Sequence, residues 1–173
     1  MAEMDSLREL YVEEIKDLYS AENQILKGLP RMIKAATHPQ LKRAFTQHEA
    51  QTRRQVKRLE QICRELDEKP TGKKCVGMEG IIKEAKELLS EKPEPNVLDA
   101  GLIAAAQHVE HYEMAGYGTC RTWARLLGYP KQQALLQQTL DEEQATDKLL
   151  SEIAESQINI DAEEPDDENG DEE

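Results

Sequence analysis

The chain has 173 residues, of which 38% are hydrophobic and 33% are charged, which is enough for one domain with a substantial core. Its net charge is −13, and nine acidic residues lie in positions 161–173, so the first 160 residues carry a charge of only −4. Because phosphate contacts need clustered Lys and Arg, these numbers argue against a nucleic-acid-binding protein.

The first predicted helix begins with Ser6-Leu7-Arg8-Glu9, a capping box in which the Ser and Glu side chains satisfy free N–H groups of the first turn. Apolar residues then repeat with helical periodicity for about 30 positions. Pro30 lies inside this pattern and should kink the helix rather than end it. A second helix starts at Pro39, where the missing N–H costs little, and should end before Pro70.

Residues 70–95 form a long connection that carries a shorter amphipathic helix, predicted at about 78–89. Its apolar side chains should cover a groove of the bundle or a dimer seam. Asn96, with Asp99 three residues later, is expected to cap a third long helix. Pro130 starts the fourth.

The lengths of the connections predict the topology. Turns of two or three residues join helix 1 to helix 2 and helix 3 to helix 4, so each pair forms an antiparallel hairpin. The connection between the hairpins can travel the full length of a bundle. We therefore predict an all-α four-helix bundle with one long crossover in residues 1–160, and a disordered acidic tail in residues 161–173.

The sequence has no sign of a membrane or secretory protein. No segment has the apolar length of a membrane span, and the N-terminus lacks a signal-peptide pattern. The three cysteines contain no C-x-x-C pair, which fits a reducing compartment. We expect a cytoplasmic protein.

Charged side chains fall inside the apolar stripes of all four long helices. They are Glu22 on helix 1, His48 on helix 2, Glu110 and Glu113 on helix 3, and Glu143 and Asp147 on helix 4. Burying a carboxylate without a partner costs several kcal/mol, and the nearby basic residues mostly lie off the stripes. Carboxylates with one imidazole suit Fe, Mn or Zn, so a divalent metal is the expected partner.

These residues also lie at similar heights in the predicted bundle. At 1.5 Å per residue, Glu22 is roughly 23 Å from the first hairpin turn, His48 about 16 Å and Gln51 about 20 Å. The acids of helices 3 and 4 lie roughly 22–28 Å from the second hairpin turn. Because the two turns lie at opposite ends of helices about 45 Å long, the candidates converge near mid-length.

Ferritin-like carboxylate bundles take one Glu from each of two helices and a Glu-x-x-His from each of the other two. Here the corresponding groups are Glu22, His48-Glu49-Ala50-Gln51, Glu110-x-x-Glu113 and Glu143-x-x-x-Asp147. The pattern is therefore ferritin-like but altered.

Longer stretches resemble the YciE/YciF family of bacterial stress-associated ferritin-like proteins. They are Tyr19-Ser20-Ala21-Glu22, Cys75-Val76-Gly77-Met78-Glu79-Gly80, Ala104-Ala105-Ala106-Gln107-x-Val109-Glu110-His111-Tyr112-Glu113 and Glu142-Glu143-x-Ala145-Thr146-Asp147. The resemblance covers about residues 6–155. It implies a ferritin-like fold, a homodimer of five-helix protomers, divalent-metal binding and a role in stress without a firmly assigned reaction.

This sequence departs from the family on helix 2. The family usually has His-x-x-Glu-Thr, where this chain has His48-x-x-Gln51-Thr52. Loss of the carboxylate would weaken one of two metal positions, unless Glu49 replaces it.

We hypothesise a cytoplasmic stress-response protein that holds two metal ions at most, with iron expected before manganese or zinc. The candidate ligands are Glu22, His48, Gln51, Glu110, Glu113, Glu143 and Asp147, with Glu113 and Glu143 as the bridging acids. Reduction of O₂ or peroxide at Fe(II) is the proposed chemistry. The alternative is a non-catalytic structural or protein-interaction bundle in which metal only stabilises the fold, so whether the protein is an enzyme stays open.

Overall fold

The computed structural model describes residues 4–163, and every regular element in that range is helical. The elements are α1 (Leu7–Ala35), α2 (Pro39–Glu65), α3 (Val76–Glu91), α4 (Pro95–Leu126), α5 (Pro130–Ile153), a π-helical turn (Ala154–Ile158) and α6 (Asn159–Glu163). Hairpins α1–α2 and α4–α5 pack together through α1 against α4 and α2 against α5, while α3 packs against α1 and α4. The predicted four-helix bundle with a crossover helix is confirmed.

The local signals at the helix ends act as expected. Ser6 Oγ accepts a hydrogen bond from the Glu9 N–H (3.2 Å) and donates one to the Glu9 carboxylate (2.9 Å). Helix α1 continues through Pro30, and prolines occupy the first turns of α2 and α5 at Pro39 and Pro130. The crossover helix α3 is two residues longer at each end than its predicted range.

The start of α4 corrects one prediction. Its N-cap is Glu94, without a side-chain cap hydrogen bond, so Asn96 does not cap this helix. Asp99 instead accepts hydrogen bonds from the Thr37 N–H (2.8 Å), the Thr37 hydroxyl (2.6 Å) and the His38 N–H (2.7 Å). A tertiary contact has taken the place of the predicted local one, and it ties the α1–α2 turn to α4.

The C-terminal end of the bundle also differs from expectation. Helix α6 continues to Glu163, so residues 161–163 are helical and do not belong to a disordered tail. Residues 164–173, the rest of the predicted tail, lie outside the described residues. Within residues 4–163, none of the helices is both long enough and apolar enough to cross a membrane.

The apolar core consists of two clusters, one towards each end of the bundle. Cluster I, at the α1–α2 turn, includes Ile25, Phe45, Ile103 and Leu150. Cluster II, at the α4–α5 turn, includes Ile15, Leu59, Tyr117 and Leu136. Every long helix of the bundle passes from one cluster to the other, and each carries buried polar or charged side chains at the crossing.

Candidate metal centre

Four side chains meet in the layer between clusters I and II. His48 of α2, Glu110 and Glu113 of α4, and Glu143 of α5 each present one nitrogen or oxygen atom, and these four atoms all lie within 4.8 Å of one another. None of the four residues is more than 3% exposed. His48 Nε2 lies 3.3 Å from Glu110 Oε1, and His48 Nδ1 lies 4.0 Å from Glu143 Oε2.

Helical spacing accounts for this convergence. Glu110 and Glu113 lie three residues apart on α4, so they share the face that carries Ala106 and Tyr117. On α5, Glu143 occupies the buried position that follows Leu140 by three residues. The acids therefore replace apolar residues of the stripe that faces the bundle axis, and the packing of the helices holds them there.

Glu22 joins the same layer from α1. It is fully buried, and the Tyr117 hydroxyl donates a hydrogen bond to its Oε1 atom. Glu22 and Glu113 lie close enough for each carboxyl to shift the pKa of the other. The layer thus holds four buried carboxyl groups and one imidazole from all four helices of the bundle.

Most polar atoms of this layer lack a hydrogen-bond partner within the described range. They are Glu22 Oε2, both ring nitrogens of His48, Glu110 Oε2, both carboxyl oxygens of Glu113 and Glu143 Oε2. Buried polar groups in proteins are nearly always paired, because an unpaired one keeps its full desolvation cost. Oxygen ligands with one imidazole are a donor set for Fe, Mn or Zn. The residues present therefore fit a divalent metal.

The electrostatics of the layer agree with this fit. Burial, reinforced by the neighbouring carboxyl groups, raises the pKa values of Glu22, Glu110 and Glu113 well above the ordinary 4.5. Burial lowers the pKa of His48 below 6.5, which favours the neutral imidazole that a metal requires. A bound dication would favour the carboxylate forms, so metal binding should release protons.

Two predicted ligands, unlike Glu22, belong neither to the four-atom group nor to the set of unpaired buried side chains. Asp147 is half-buried at the rim between α4 and α5, where it accepts a hydrogen bond from Gln107 Nε2 (3.1 Å) and lies 3.2 Å from Nε2 of the exposed His111. Gln51 is half-buried on α2. A ligand role for either residue stays a prediction.

The possible substitute on helix 2, Glu49, also lies away from the four-atom group. Its carboxylate is paired with the exposed Arg53 one turn further along α2. This ion pair gives Glu49 a partner on the surface of the bundle.

Sequence reasoning missed Gln55, which is fully buried on α2. Its Nε2 atom donates one hydrogen bond to Glu143 Oε1 and another to Glu142 Oε2 (3.1 Å). Glu142 is itself held by both terminal nitrogens of Arg58, at 2.7 and 2.8 Å. The spacing in the sequence could have indicated this position, because Gln55 follows His48 by seven residues, which is two helical turns along the same face.

Comparison with known proteins places this geometry in a family. A family model described as a domain of unknown function, DUF892, matches residues 6–163. Protein YciF of Escherichia coli (strain K12) is 42% identical over 161 residues, which cover 92% of this chain and 97% of YciF.

Solved structures give the same result. The crystal structure of the E. coli stress protein YciF matches with a TM-score of 0.86 and 41% identity, over 90% of this chain and 99% of that chain. YcfI from Rhodopseudomonas palustris matches with a TM-score of 0.84 and 40% identity, over 87% and 96% of the two chains. A protein from Xanthomonas campestris pv. campestris, 22% identical with a TM-score of 0.71 over 91% and 96%, shares the fold.

Proposed function

This chain belongs to the DUF892 family, and from that premise we propose that it is a ferritin-like stress-response protein with a carboxylate-rich site for one or two divalent metal ions, iron before manganese or zinc. One observation carries the proposal. His48, Glu110, Glu113 and Glu143 present atoms within 4.8 Å of one another, and each residue has at least one buried polar atom without a hydrogen-bond partner in the described part of the chain. The stress role is supported by the likeness to E. coli YciF, which is named a stress protein.

The surroundings of each acid suggest its role toward the metal. Glu113 is our choice for a bridging carboxylate, because both its oxygens are unpaired and it lies among Glu22, Glu143 and Glu110. Glu143 has one oxygen held by Gln55, which favours a terminal role over the bridging role expected from sequence. Tyr117 donates to one oxygen of Glu22 and leaves the other free for a metal.

Bound iron would supply electrons. Two bound Fe(II) ions could give up two electrons in all, which with two protons would reduce O₂ to H₂O₂, or H₂O₂ to two molecules of water. The residues of the chain would hold the ions in a layer that lies between the apolar clusters I and II. Arg58 and Gln55 fix Glu142 and Glu143 in orientation.

Anaerobic loading with Fe(II) tests this function. The wild-type protein should retain one or two iron ions per chain after removal of free metal, and O₂ or H₂O₂ should then oxidise them. Glu113→Gln should lose bound iron, while Glu49→Gln, which changes an acid on the outside of α2, should retain it. A wild-type protein that retains no divalent metal would contradict the proposal.

The rival function is a structural bundle that metal only stabilises. It is favoured by the R. palustris relative, which is described as a candidate structural protein. In that case metal would raise the melting temperature, and neither O₂ nor H₂O₂ would oxidise bound Fe(II) faster than it oxidises free Fe(II).

The quaternary structure and location of the protein remain proposals based on the family resemblance. We propose a homodimer in the cytoplasm. Light scattering coupled to size-exclusion chromatography would measure the mass of the particle, and a monomer at micromolar concentration would contradict the dimer.

A further inference from the structure

A cavity of about 40 Å³ lies between α1, α3 and α4 and reaches the candidate metal centre. Its walls are mainly apolar and include Ile25 and Leu29 of α1, Ile82 and Leu89 of α3, and Val109 of α4. The exposed Arg31 and Lys86 line it on the outside, and the buried His48 and Glu110 line it on the inside. The cavity therefore leads from the protein surface to the metal centre.

The inner end of the cavity carries unpartnered polar atoms. His48 is 3% exposed and Glu110 is 1% exposed, yet both His48 nitrogens and Glu110 Oε2 have no hydrogen-bond partner among residues 4–163. These are groups of the metal centre itself. A small molecule inside the cavity would thus lie next to a metal held by His48 and Glu110.

Gly28 keeps the cavity open at a cost to the helix. A glycine inside an α-helix makes the helix less stable than an alanine would. Gly28 lies in the interior of α1, and a Cβ atom added there would meet nothing within 4 Å. Close packing therefore does not require glycine at this position. The space that its missing side chain leaves is part of the cavity.

The size and lining of the cavity select its guest. Its volume exceeds the roughly 10–15 Å³ that a cavity measured in this way needs for one water molecule, so it can hold one small molecule. Apolar cavities tend to stay dry and bind apolar guests. Hydrogen peroxide would have to give up its hydrogen bonds with water to enter, whereas dioxygen would not.

We propose that this cavity binds dioxygen and guides it to the His48–Glu110 side of the metal centre, which makes dioxygen rather than peroxide the oxidant that this route serves. The proposal rests on the proposed function, because the centre must hold reduced metal for dioxygen to react. The binding of an apolar guest can be measured without metal, so the two proposals can fail separately.

Xenon in crystals of the metal-free protein tests the cavity directly. We expect a xenon atom between α1, α3 and α4 in the wild-type protein, lost in Gly28→Leu and retained in Gly80→Leu. Gly80 is a matched control, because it is an exposed helical glycine on α3, outside the cavity, with nothing within 4 Å of an added Cβ. The absence of xenon from the wild-type cavity would overturn the proposal, whatever metal the protein binds.

Oxidation of bound Fe(II) tests whether the cavity is the route. Gly28→Leu should slow oxidation by O₂ by at least about tenfold, leave the number of bound iron ions unchanged and slow oxidation by H₂O₂ much less. Gly80→Leu should match the wild type in all three measurements. Unchanged oxidation by O₂ in Gly28→Leu, or equal slowing with both oxidants, would overturn the proposal.

A second variant guards against misfolding. Ala105→Leu fills the cavity from the opposite wall, on α4, and should reproduce the effects of Gly28→Leu on xenon and O₂. If Ala105→Leu folds, fills the cavity and leaves oxidation by O₂ unchanged, the cavity is not the route. If the wild-type protein binds no Fe(II), the proposed function fails, and the xenon experiment still decides whether the cavity takes an apolar guest.

Discussion

Two buried acids on α4 differ in whether their carboxyl groups have hydrogen-bond partners. Asp99 is 2% exposed and accepts three hydrogen bonds from the α1–α2 turn. Glu113, fourteen residues further along, is fully buried and accepts none within residues 4–163. The protein can satisfy a buried carboxylate where the fold needs one. Within residues 4–163, the buried side-chain atoms without a hydrogen-bond partner lie in or beside the layer between the two apolar clusters, with His38 Nδ1 as the exception.

A buried pair inside cluster II strengthens the contrast. The Tyr11 hydroxyl donates to Gln132 Oε1 at 2.8 Å, and both residues are nearly inaccessible to solvent. Outside the central layer, this pair and Asp99 follow the usual rule that buried polar groups are paired. The layer departs from the rule with several atoms at once, which is the arrangement expected of a site that a cation completes.

The largest expected effect is the loss of metal-dependent stability. At a free metal concentration one thousand times the dissociation constant, binding to the folded state alone stabilises a protein by about 4 kcal/mol. Glu113→Gln should lose most of this stabilisation, because it removes a charged ligand from the centre of the layer. Chemical denaturation with and without metal measures this stabilisation. If metal stabilises the variant as much as the wild type, Glu113 is not a metal ligand.

Replacement of Asp99 should lower the stability of the fold without changing how stability depends on metal. Hydrogen bonds to charged groups contribute roughly 1.5–3 kcal/mol each, and they are not additive, so Asp99→Ala should lower the free energy of unfolding by about 3 kcal/mol. The loss should be the same with and without metal. A matching loss of metal affinity would show that Asp99 and the central layer are not independent.

The pH dependence of stability sharpens the comparison further. The pKa values of Glu22, Glu110 and Glu113 are raised above 4.5 in the folded protein, so folding retains protons that the unfolded chain releases as pH rises. The lowered pKa of His48 acts in the opposite direction, but only below 6.5. Where His48 is neutral in both states, the free energy of unfolding of the metal-free protein should fall with rising pH, by up to about 1.4 kcal/mol per pH unit for each proton released, until these carboxyl groups ionise in the folded protein as well.

Saturating metal should remove this slope, because the metal replaces the protons on the carboxyl groups. Denaturation curves at several pH values, with chelator and with metal, test both parts. Glu113→Gln should reduce the slope of the metal-free protein, while Glu49→Gln should not. A metal-free wild type that gains stability as pH rises above 6.5 would contradict the account.

A smaller effect is expected at Gln55. Residues that orient a metal ligand typically contribute a factor of about 10–100 to metal affinity. Gln55→Leu removes the hydrogen bond to Glu143 and should weaken metal binding by about tenfold. Gln51→Leu, one turn earlier on α2, tests in the same way whether Gln51 is a ligand. If the two variants lose equal metal affinity, Gln51 contributes to metal binding, as its sequence position predicts.

The sequence predicted the layer because carboxylates interrupt apolar stripes at one height. Glu22, Glu110, Glu113 and Glu143 could be found in this way, since a helix face is set by spacing alone. The partners of these residues could not all be found. Glutamines are common on solvent-exposed helix faces, so their identity alone does not mark Gln55 as buried against Glu143.

The predicted capping role of Asn96 and Asp99 was wrong for a different reason. A local pattern, Asn96 followed three residues later by an acid, competed with a contact between segments far apart in the chain. Local sequence holds no information about that contact until the α1–α2 turn is placed beside α4. The helix boundaries set by Pro39 and Pro130, in contrast, depend only on backbone chemistry and were predicted correctly.

The most direct test of the central claim is anomalous scattering from crystals grown with excess iron or manganese. The account predicts one or two strong peaks in the layer between clusters I and II, coordinated by Glu110, Glu113, Glu143 and His48. A map without a peak at this position, with the same four side chains hydrogen-bonded to one another or to water, would contradict it.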